Sequence, residues 1–268
     1  MNESEHILTT ILGCRRVDLF AFSQTLTPQQ KNQYNQIKQQ RLQGEPLQYL
    51  LGSCDFMGIP LKVDPRVLIP RPETEILVEQ VLQKISQKSS LRILDVGTGS
   101  GNIAIALAKL IHQCDVVALD VSKDALDLAS YNAKENDVQE KIQFHHDNVD
   151  NFFYDKTHWN SFDAIISNPP YLRSGEIENL PQDVQREPRL ALDGGDDGLE
   201  FYRILLSRGH QFLKDQGHLF LEIGDDQQKG IEEILITCPF YEDIKFIKDF
   251  NGRDRIVSLK KRSTPWKN

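Results

Sequence analysis

Leu91-Arg92-Ile93-Leu94-Asp95 is an apolar run that ends in an acid. It leads directly into Val96-Gly97-Thr98-Gly99-Ser100-Gly101 and then into Asn102–Leu110 (NIAIALAKL). The first segment reads as a buried parallel strand, and the last has helical periodicity and strong helix formers. Strand, glycine-rich turn and helix form the layout of nucleotide-cofactor α/β sheets, in which glycines let backbone approach a ligand with no Cβ in the way, although such a turn alone is a weak signal. The spacing is G-x-G-x-G, not the G-x-G-x-x-G of dinucleotide sites. No Lys-Ser or Lys-Thr pair follows, so a Walker-type phosphate loop is disfavoured.

The following segments extend that unit. Asp115–Leu119 (DVVAL) reads as the second strand. It ends at Asp120, about 20 residues past the glycine turn, where an acid accepts hydrogen bonds from ribose hydroxyls. The alternative for Asp120 is a solvated loop acid. Ser122 is the expected N-cap of a helix running to about Glu135. The next strand, Ile142–His145, delivers Asp147 and Asn148 within reach of an adenine; a histidine pair at a strand end, His145-His146, reads as structural. Phe162–Ser167 (FDAIIS) reads as a fourth strand, and Asn168-Pro169-Pro170-Tyr171 ends it. Prolines lack the ladder N–H, so the chain must leave the sheet there, at the end where open α/β sheets bind ligands. The two prolines fix the directions of the Asn168 amide and the Pro169 carbonyl. Two acceptors beside an aromatic ring suit a planar NH₂ group that is gripped and stacked. An isolated tetrapeptide of this kind also reads as a turn beside a core tyrosine. Gly97–Gly101, Asp120, Asp147-Asn148 and Asn168, on successive strand ends, outline an S-adenosylmethionine site with the methyl group delivered toward Asn168–Tyr171.

Over roughly residues 40–260 the chain resembles the protein-(glutamine-N5) methyltransferases of bacterial peptide chain release factors. The resemblance lies in Glu45–Gly52 (EPLQYLLG), Leu68–Glu75 (LIPRPETE), the DVGTGSG turn and the NPPY tetrapeptide. It continues in Glu187-Pro188, Ala191–Gly195 with Asp197-Gly198-Leu199, Glu222-Ile223-Gly224 with Gln227, and Asp254-Arg255. NPPY alone is shared with methyltransferases of adenine N6 and guanine N2; its combination with LIPRPETE and ALDGG is much narrower. The resemblance implies a doubly wound Rossmann-like sheet and S-adenosylmethionine as cofactor. It also implies class 1 release factors as protein substrate, with the Gly-Gly-Gln glutamine as methyl acceptor. Carried onto this chain, Gly97, Thr98, Gly99, Ser100, Gly101, Asp120, Asp147, Asn148 and Asn168 contact cofactor, and Asn168, Pro169, Pro170 and Tyr171 hold the glutamine, with Asn168, Pro169 and Tyr171 catalytic. Where many relatives carry a bulky residue after the acid this chain has Asn148, for which an amide–adenine hydrogen bond is expected.

Charge bears on the acceptor. The net charge is −8, and residues 1–70 hold seven Lys/Arg against six Asp/Glu, leaving 24 against 33 in the rest. An acidic catalytic body weighs against binding a phosphate backbone and suits a basic protein better. The four cysteines (Cys14, Cys54, Cys114, Cys238) form no C-x-x-C pair and read as free thiols of a reducing cytosol, without a metal site. No apolar stretch reaches membrane-spanning length, and the polar Met1–Glu5 shows no secretory signal; a cytoplasmic monomer is expected.

Three segments are expected: a helical, substrate-docking region over 1–51, a hairpin linker over 52–71, and a catalytic methyltransferase region over 72–268. Helices are expected at Glu5–Leu12, Arg16–Phe22 and Pro28–Leu42, the last with Thr27 as N-cap and Pro28 at N1. A hairpin is expected over Asp55–Val63 and a helix over Glu73–Ile85. Strands are expected over Gly217–Ile223, Ile244–Lys248 and Arg255–Lys260. Leu172–Gly198 reads as a long polar loop, and loops of that length serve as lids or are disordered. Glu187, Arg189 and Asp193 are expected to scaffold it, and Arg71 and Glu73 to shape the pocket entrance or form a linker ion pair. Two other functions stand beside glutamine methylation: NPPY-type methylation of a DNA or RNA base, which needs a basic groove, and a non-catalytic module that binds a translation factor.

Overall fold

The computed structural model describes residues 2–21, 25–85 and 90–263. Helix α1 (Glu3–Leu12) starts on a capping box in which Asn2 and Glu5 satisfy each other's backbone N–H groups. Helix α2 (Asp18–Ala21) is shorter than the Arg16–Phe22 expected, and Phe22 lies outside the described residues. Helix α3 (Pro28–Leu42) has the predicted Thr27 cap and Pro28 in its first turn. With α4 (Leu47–Leu51), α1 and α3 bury a small cluster of their own around Ile7, Ile37 and Leu47.

Strands β1 (Ser53–Phe56) and β2 (Ile59–Lys62) pair antiparallel around Met57 and Gly58. Both turn residues have positive φ, 53° and 77°, which matches the right-handed twist of a two-residue hairpin. Pro72–Ile85 forms α5 and leads to the large sheet. The order along the chain is then β3 (Leu91–Val96), α6 (Asn102–Leu110), β4 (Cys114–Asp120), α7 (Lys123–Glu135), β5 (Ile142–His146) and α8 (Val149–Phe152). It continues with β6 (Phe162–Ser167), α9 (Gln182–Gln185), α10 (Glu200–Phe212), β7 (Leu213–Glu222), α11 (Gln228–Ile236), β8 (Tyr241–Lys248) and β9 (Asp254–Lys261). The seven strands lie in the order β5-β4-β3-β6-β7-β9-β8, parallel through β7 and antiparallel at β9. This is a doubly wound, Rossmann-like sheet, and its strand order reverses between β3 and β6, the position at which ligands settle on such sheets.

The strands read as continuous apolar runs because both faces are covered. Ile93, Val116, Ala118, Ala164, Ile166 and Phe220 point to the side of α5 and α6. Leu94, Val117, Leu119, Ile165, Leu219 and Leu221 point to the side of α10 and α11. Each fully buried Leu or Ile contributes about 2 kcal/mol of transfer free energy, so the two faces together dominate the stability of the region. Strand β7 begins at Leu213, earlier than the expected Gly217. Pairing with β6 jumps from Phe162–Leu213 to Ala164–His218, and the bulge places Gln216 at φ 62°, which periodicity alone does not reveal.

The hairpin and linker are fastened to α7. Asn132 accepts the Lys62 N–H and donates to the Lys62 and Ser100 carbonyls, and Asn136 donates to the Pro60 carbonyl. Tyr49 in α4 donates to the Val67 carbonyl at 2.6 Å. The 172–198 segment is folded rather than a bare loop, with short helical turns at Ser174–Asn179, α9 and Arg189–Ala191. Glu187, buried in this segment, accepts the Ile69 N–H and pairs with Arg71, while Asp183 pairs with Arg41 and Arg186 with Glu45. The segment is thereby bound both to the linker and to the N-terminal helices.

Candidate active site

Two adjoining cavities open at the carboxyl ends of β3, β4 and β6, of about 240 Å³ and about 130 Å³. The larger is lined by the glycine turn and by the residues after β4 and β5. Gly97 and Gly99 have φ of 75° and 54°, and no heavy atom lies within 4 Å of where a Cβ would stand on either. The Thr98 hydroxyl turns inward and donates to the buried Asp95 carboxyl at 2.7 Å, which sets the loop from below. Ser100 completes this wall. Gly101, expected beside them, does not line the cavity. A Cβ there would meet Ile105 and Ala129 at 3.0 and 3.1 Å, so Gly101 serves the packing of α6 on α7.

Asp120 ends β4 at the cavity. Its Oδ2 accepts the Gly99 N–H at 2.8 Å and its Oδ1 the Ser122 N–H at 2.9 Å, which leaves a second lone pair on each oxygen for a ligand. Burial raises its carboxyl above the usual range, and the Ser122 and Gly99 N–H groups oppose the rise. Asp147 and Asn148 also line the cavity. Asn148 caps α8 through Oδ1, which accepts the Asp150 N–H; its NH₂ and the second lone pair of Oδ1 remain for an adenine. His146 meets the Val121 carbonyl at 3.0 Å, and His145 packs edge-on against Phe152; both have structural partners.

Asn168 and Pro169 line both cavities, Pro170 the larger and Tyr171 the smaller. Asn168 Nδ2 donates to Thr74 Oγ1 at 3.1 Å, and Thr74 donates to Glu222 Oε2 at 2.7 Å. The Tyr171 hydroxyl lies 3.5 Å from Glu222 Oε1. Burial pushes the Glu222 carboxyl up to about 7, and the Thr74 hydrogen bond opposes it. Burial also raises the Tyr171 phenol, so this ring stays neutral. Leu172, Val184, Ala191 and Leu192 supply an apolar wall to the smaller cavity, and Arg71, paired with Glu187, stands beside both.

The backbone of the tetrapeptide is itself clamped. Gln227 Nε2 donates to the carbonyls of Tyr171 and Gly198, both at 2.9 Å, while its Oε1 accepts the Gly224 N–H. Gly194 lies where a Cβ would stand 2.7 Å from Tyr171 Cα and 2.8 Å from the Pro170 oxygen. Gly194 and Gly198 of the ALDGGDDGL segment are thus required by close approach to the NPPY backbone, whereas Gly195 faces the Glu200 side chain.

Thr74, Glu222, Gln227, Gly194 and Gly198 carry the family resemblance in the sequence, but the sequence assigns none of them a part in the site. A signal existed for Glu222: it closes an apolar strand, as Asp95 and Asp120 do. Thr74 carries no such mark, since a hydroxyl in the first turn of a helix is common.

Comparison with known proteins places the chain in a family. Residues 72–195 match the Methyltransferase small domain and residues 1–52 the PrmC N-terminal domain. The chain is 38% identical over 264 residues to the release factor glutamine methyltransferase of Thermodesulfovibrio yellowstonii, covering 97% of this chain and 92% of that protein. It is 40% identical over 241 residues to the release factor glutamine methyltransferase of Streptococcus pneumoniae, covering 89% and 84%. Among solved structures, a methyltransferase from Pyrococcus furiosus aligns with TM-score 0.57 at 21% identity over 77% of this chain and 90% of that one. The hMettl16 catalytic domain aligns with TM-score 0.60 at 14% identity over 91% and 85%. The two structures share the fold, and the two sequence relatives, similar along nearly their whole length, show that the chain belongs to the release factor glutamine methyltransferase family.

Proposed function

We propose that the protein transfers the methyl group of S-adenosylmethionine to the side-chain nitrogen N5 of the glutamine in the Gly-Gly-Gln motif of class 1 release factors. The observation that carries this reading is Asn168. One N–H of its amide is given to Thr74, which turns Oδ1 away from that bond as the acceptor at the wall shared by the two cavities.

The larger cavity fits the cofactor. Backbone at Gly97–Ser100 approaches without side chains in the way, Asp120 offers two free lone pairs to a ribose diol, and Asp147 and Asn148 stand at the adenine end. When bound, S-adenosylmethionine supplies a methyl group on a sulfonium, electrophilic enough for direct displacement without a metal. The chain's own part is to make a carboxamide nitrogen reactive, because its lone pair is delocalised into the carbonyl. Asn168 Oδ1 and the Pro169 carbonyl accept its two N–H bonds and aim the nitrogen toward the larger cavity. Both dipoles are fixed beforehand, and their effect grows as positive charge develops on nitrogen. The proton leaves after transfer, so no base is needed to start the reaction. Tyr171 and the Leu172, Leu192 and Val184 wall surround the glutamine stem and exclude water.

One glutamine offers too little contact for selectivity, so the N-terminal helices dock the body of the factor. Phe20 and Leu42 are 72% and 84% exposed on them, which supports this role.

Labelled cofactor offered with release factor, with its Gln→Ala variant and with nucleic acid will label the first alone. Label on the Gln→Ala factor or on nucleic acid would replace this reading. A second expectation concerns Asp120. Asp120→Ala will weaken cofactor binding roughly 10- to 100-fold by calorimetry, on the scale of hydrogen bonds to a charged group. Unchanged affinity removes Asp120 from the ribose site.

A further inference from the structure

The Asn168 amide is the end of a buried hydrogen-bonded chain that runs through α5 to the end of β7. Thr74 and Glu222, its inner members, are each 1% exposed. They lie 94 and 148 residues from their respective partners, so the fold alone brings them together. The direction of donation along the chain is set at its inner end. A carboxylate only accepts, so the single hydroxyl hydrogen of Thr74 points at Glu222 Oε2. The remaining lone pairs of Thr74 only accept, so the Asn168 NH₂ must face Thr74. The Asn168 oxygen is then turned away from the chain.

An asparagine amide has two orientations related by a half-turn, similar in shape and opposite in hydrogen-bonding sense. In one, Asn168 offers an acceptor to a substrate NH₂. In the other it offers an NH₂ to an NH₂, and neither group has a partner. We infer that Thr74 and Glu222 are positioning residues for methyl transfer, holding the Asn168 amide in the orientation that presents its oxygen to the nitrogen being methylated. This rests on the glutamine reading of the site, and it assigns work to two residues on the cavity walls, Thr74 at the larger and Glu222 at the smaller, that act through the Asn168 amide.

The device has a pH limit built into it. Glu222 is faced by Thr74 and Glu73 from α5, by Tyr171 from the end of β6 and by Arg255 from β9; Arg71 reaches Tyr171 from the linker. Burial raises its carboxyl to about 7, Glu73 raises it further, and Thr74, Arg255 and Tyr171 oppose the rise. Once protonated, Glu222 can itself donate to Thr74. The Thr74 hydrogen is then free to turn toward Asn168, and the flipped amide becomes equally well bonded. Turnover therefore falls as pH drops through about 7, while cofactor binding does not.

The test uses the full chain, S-adenosylmethionine and a release factor, with kcat, both KM values and cofactor Kd followed across the neutral range. The wild type is expected to lose kcat on the acid side with flat cofactor Kd. Thr74→Val keeps the shape of the side chain and removes the hydroxyl. It is expected to lower kcat about 10- to 100-fold, to leave cofactor KM within about twofold, and to lose the acid limb. Thr74→Ser is expected to restore both kcat and the limb. Wild-type kcat in Thr74→Val, or a folded Thr74→Ser that fails to rescue, overturns the inference. If Thr74→Val does not fold, the wild-type profile still decides, since a pH-independent kcat overturns it without any variant. Transfer with a flat profile fails this inference alone. Absence of transfer to the factor at every pH fails the glutamine reading and this inference with it.

Discussion

Asn168→Ala will lower turnover by roughly 10²–10³ with the cofactor still bound, the scale for removal of one aligned electrostatic contact at a reacting centre. The loss falls on kcat because the Asn168 oxygen opposes charge that exists only as the carboxamide nitrogen becomes tetrahedral. Ground-state affinity for the factor depends mainly on surfaces remote from the tetrapeptide, so KM changes little. Single-turnover methylation at saturating cofactor, with a parallel calorimetric titration of the cofactor, separates the two effects. Near-normal turnover with cofactor bound removes Asn168 from the mechanism. Asn168→Ala also leaves Thr74 without its donor, but Thr74 keeps its bond to Glu222, so the fold should hold.

Gly198→Ala is the second large effect, and it acts on the fold. Gly198 has φ 74°, where an L side chain is strained by about 1–2 kcal/mol. A Cβ there would stand 2.4 Å from the Tyr171 oxygen and 2.8 Å from Gln227 Nε2. Neither neighbour yields freely, because Gln227 holds the carbonyls of both Tyr171 and Gly198. Strain and overpacking together are expected to cost roughly 2–5 kcal/mol. Turnover falls as well, since Tyr171 is continuous with Pro169 and Pro170. Gly13→Ala is the control: its φ is 59° with nothing within 4 Å of the added Cβ, so it should lose only the backbone component. Denaturant unfolding of both variants checks this, and equal losses would show that close approach at Gly198 is unimportant.

The sheet was legible because each strand is an apolar run broken by a polar or glycine-containing turn. Phe162–Ser167 and Asn102–Leu110 have the bounds expected of them. Thr27 and Ser122 announced their helices because an N-cap is a local hydrogen bond between a side chain and an N–H three residues on. The short helical turns of the 172–198 segment are not legible along the chain, because what orders it is distant. Glu187 needs Ile69 and Arg71, and Asp183 and Arg186 need Arg41 and Glu45. Spacing groups Gly101 with Gly97 and Gly99, yet two residues past Gly99 the chain has turned into α6 and Gly101 faces Ile105 and Ala129.

By itself, the sequence determined that a glycine turn, an acid and an Asn-Pro-Pro-Tyr corner would stand at the ends of parallel strands. Each of those features is local, and strand direction carries it to one edge of the sheet. Only the tertiary structure decided which way the Asn168 amide faces and which glycines press on the NPPY backbone. Those outcomes depend on the register of β6 and β7 and on how α5 lies across them. Side chains 94 and 148 residues apart meet through that packing, and no pattern along the chain encodes the meeting.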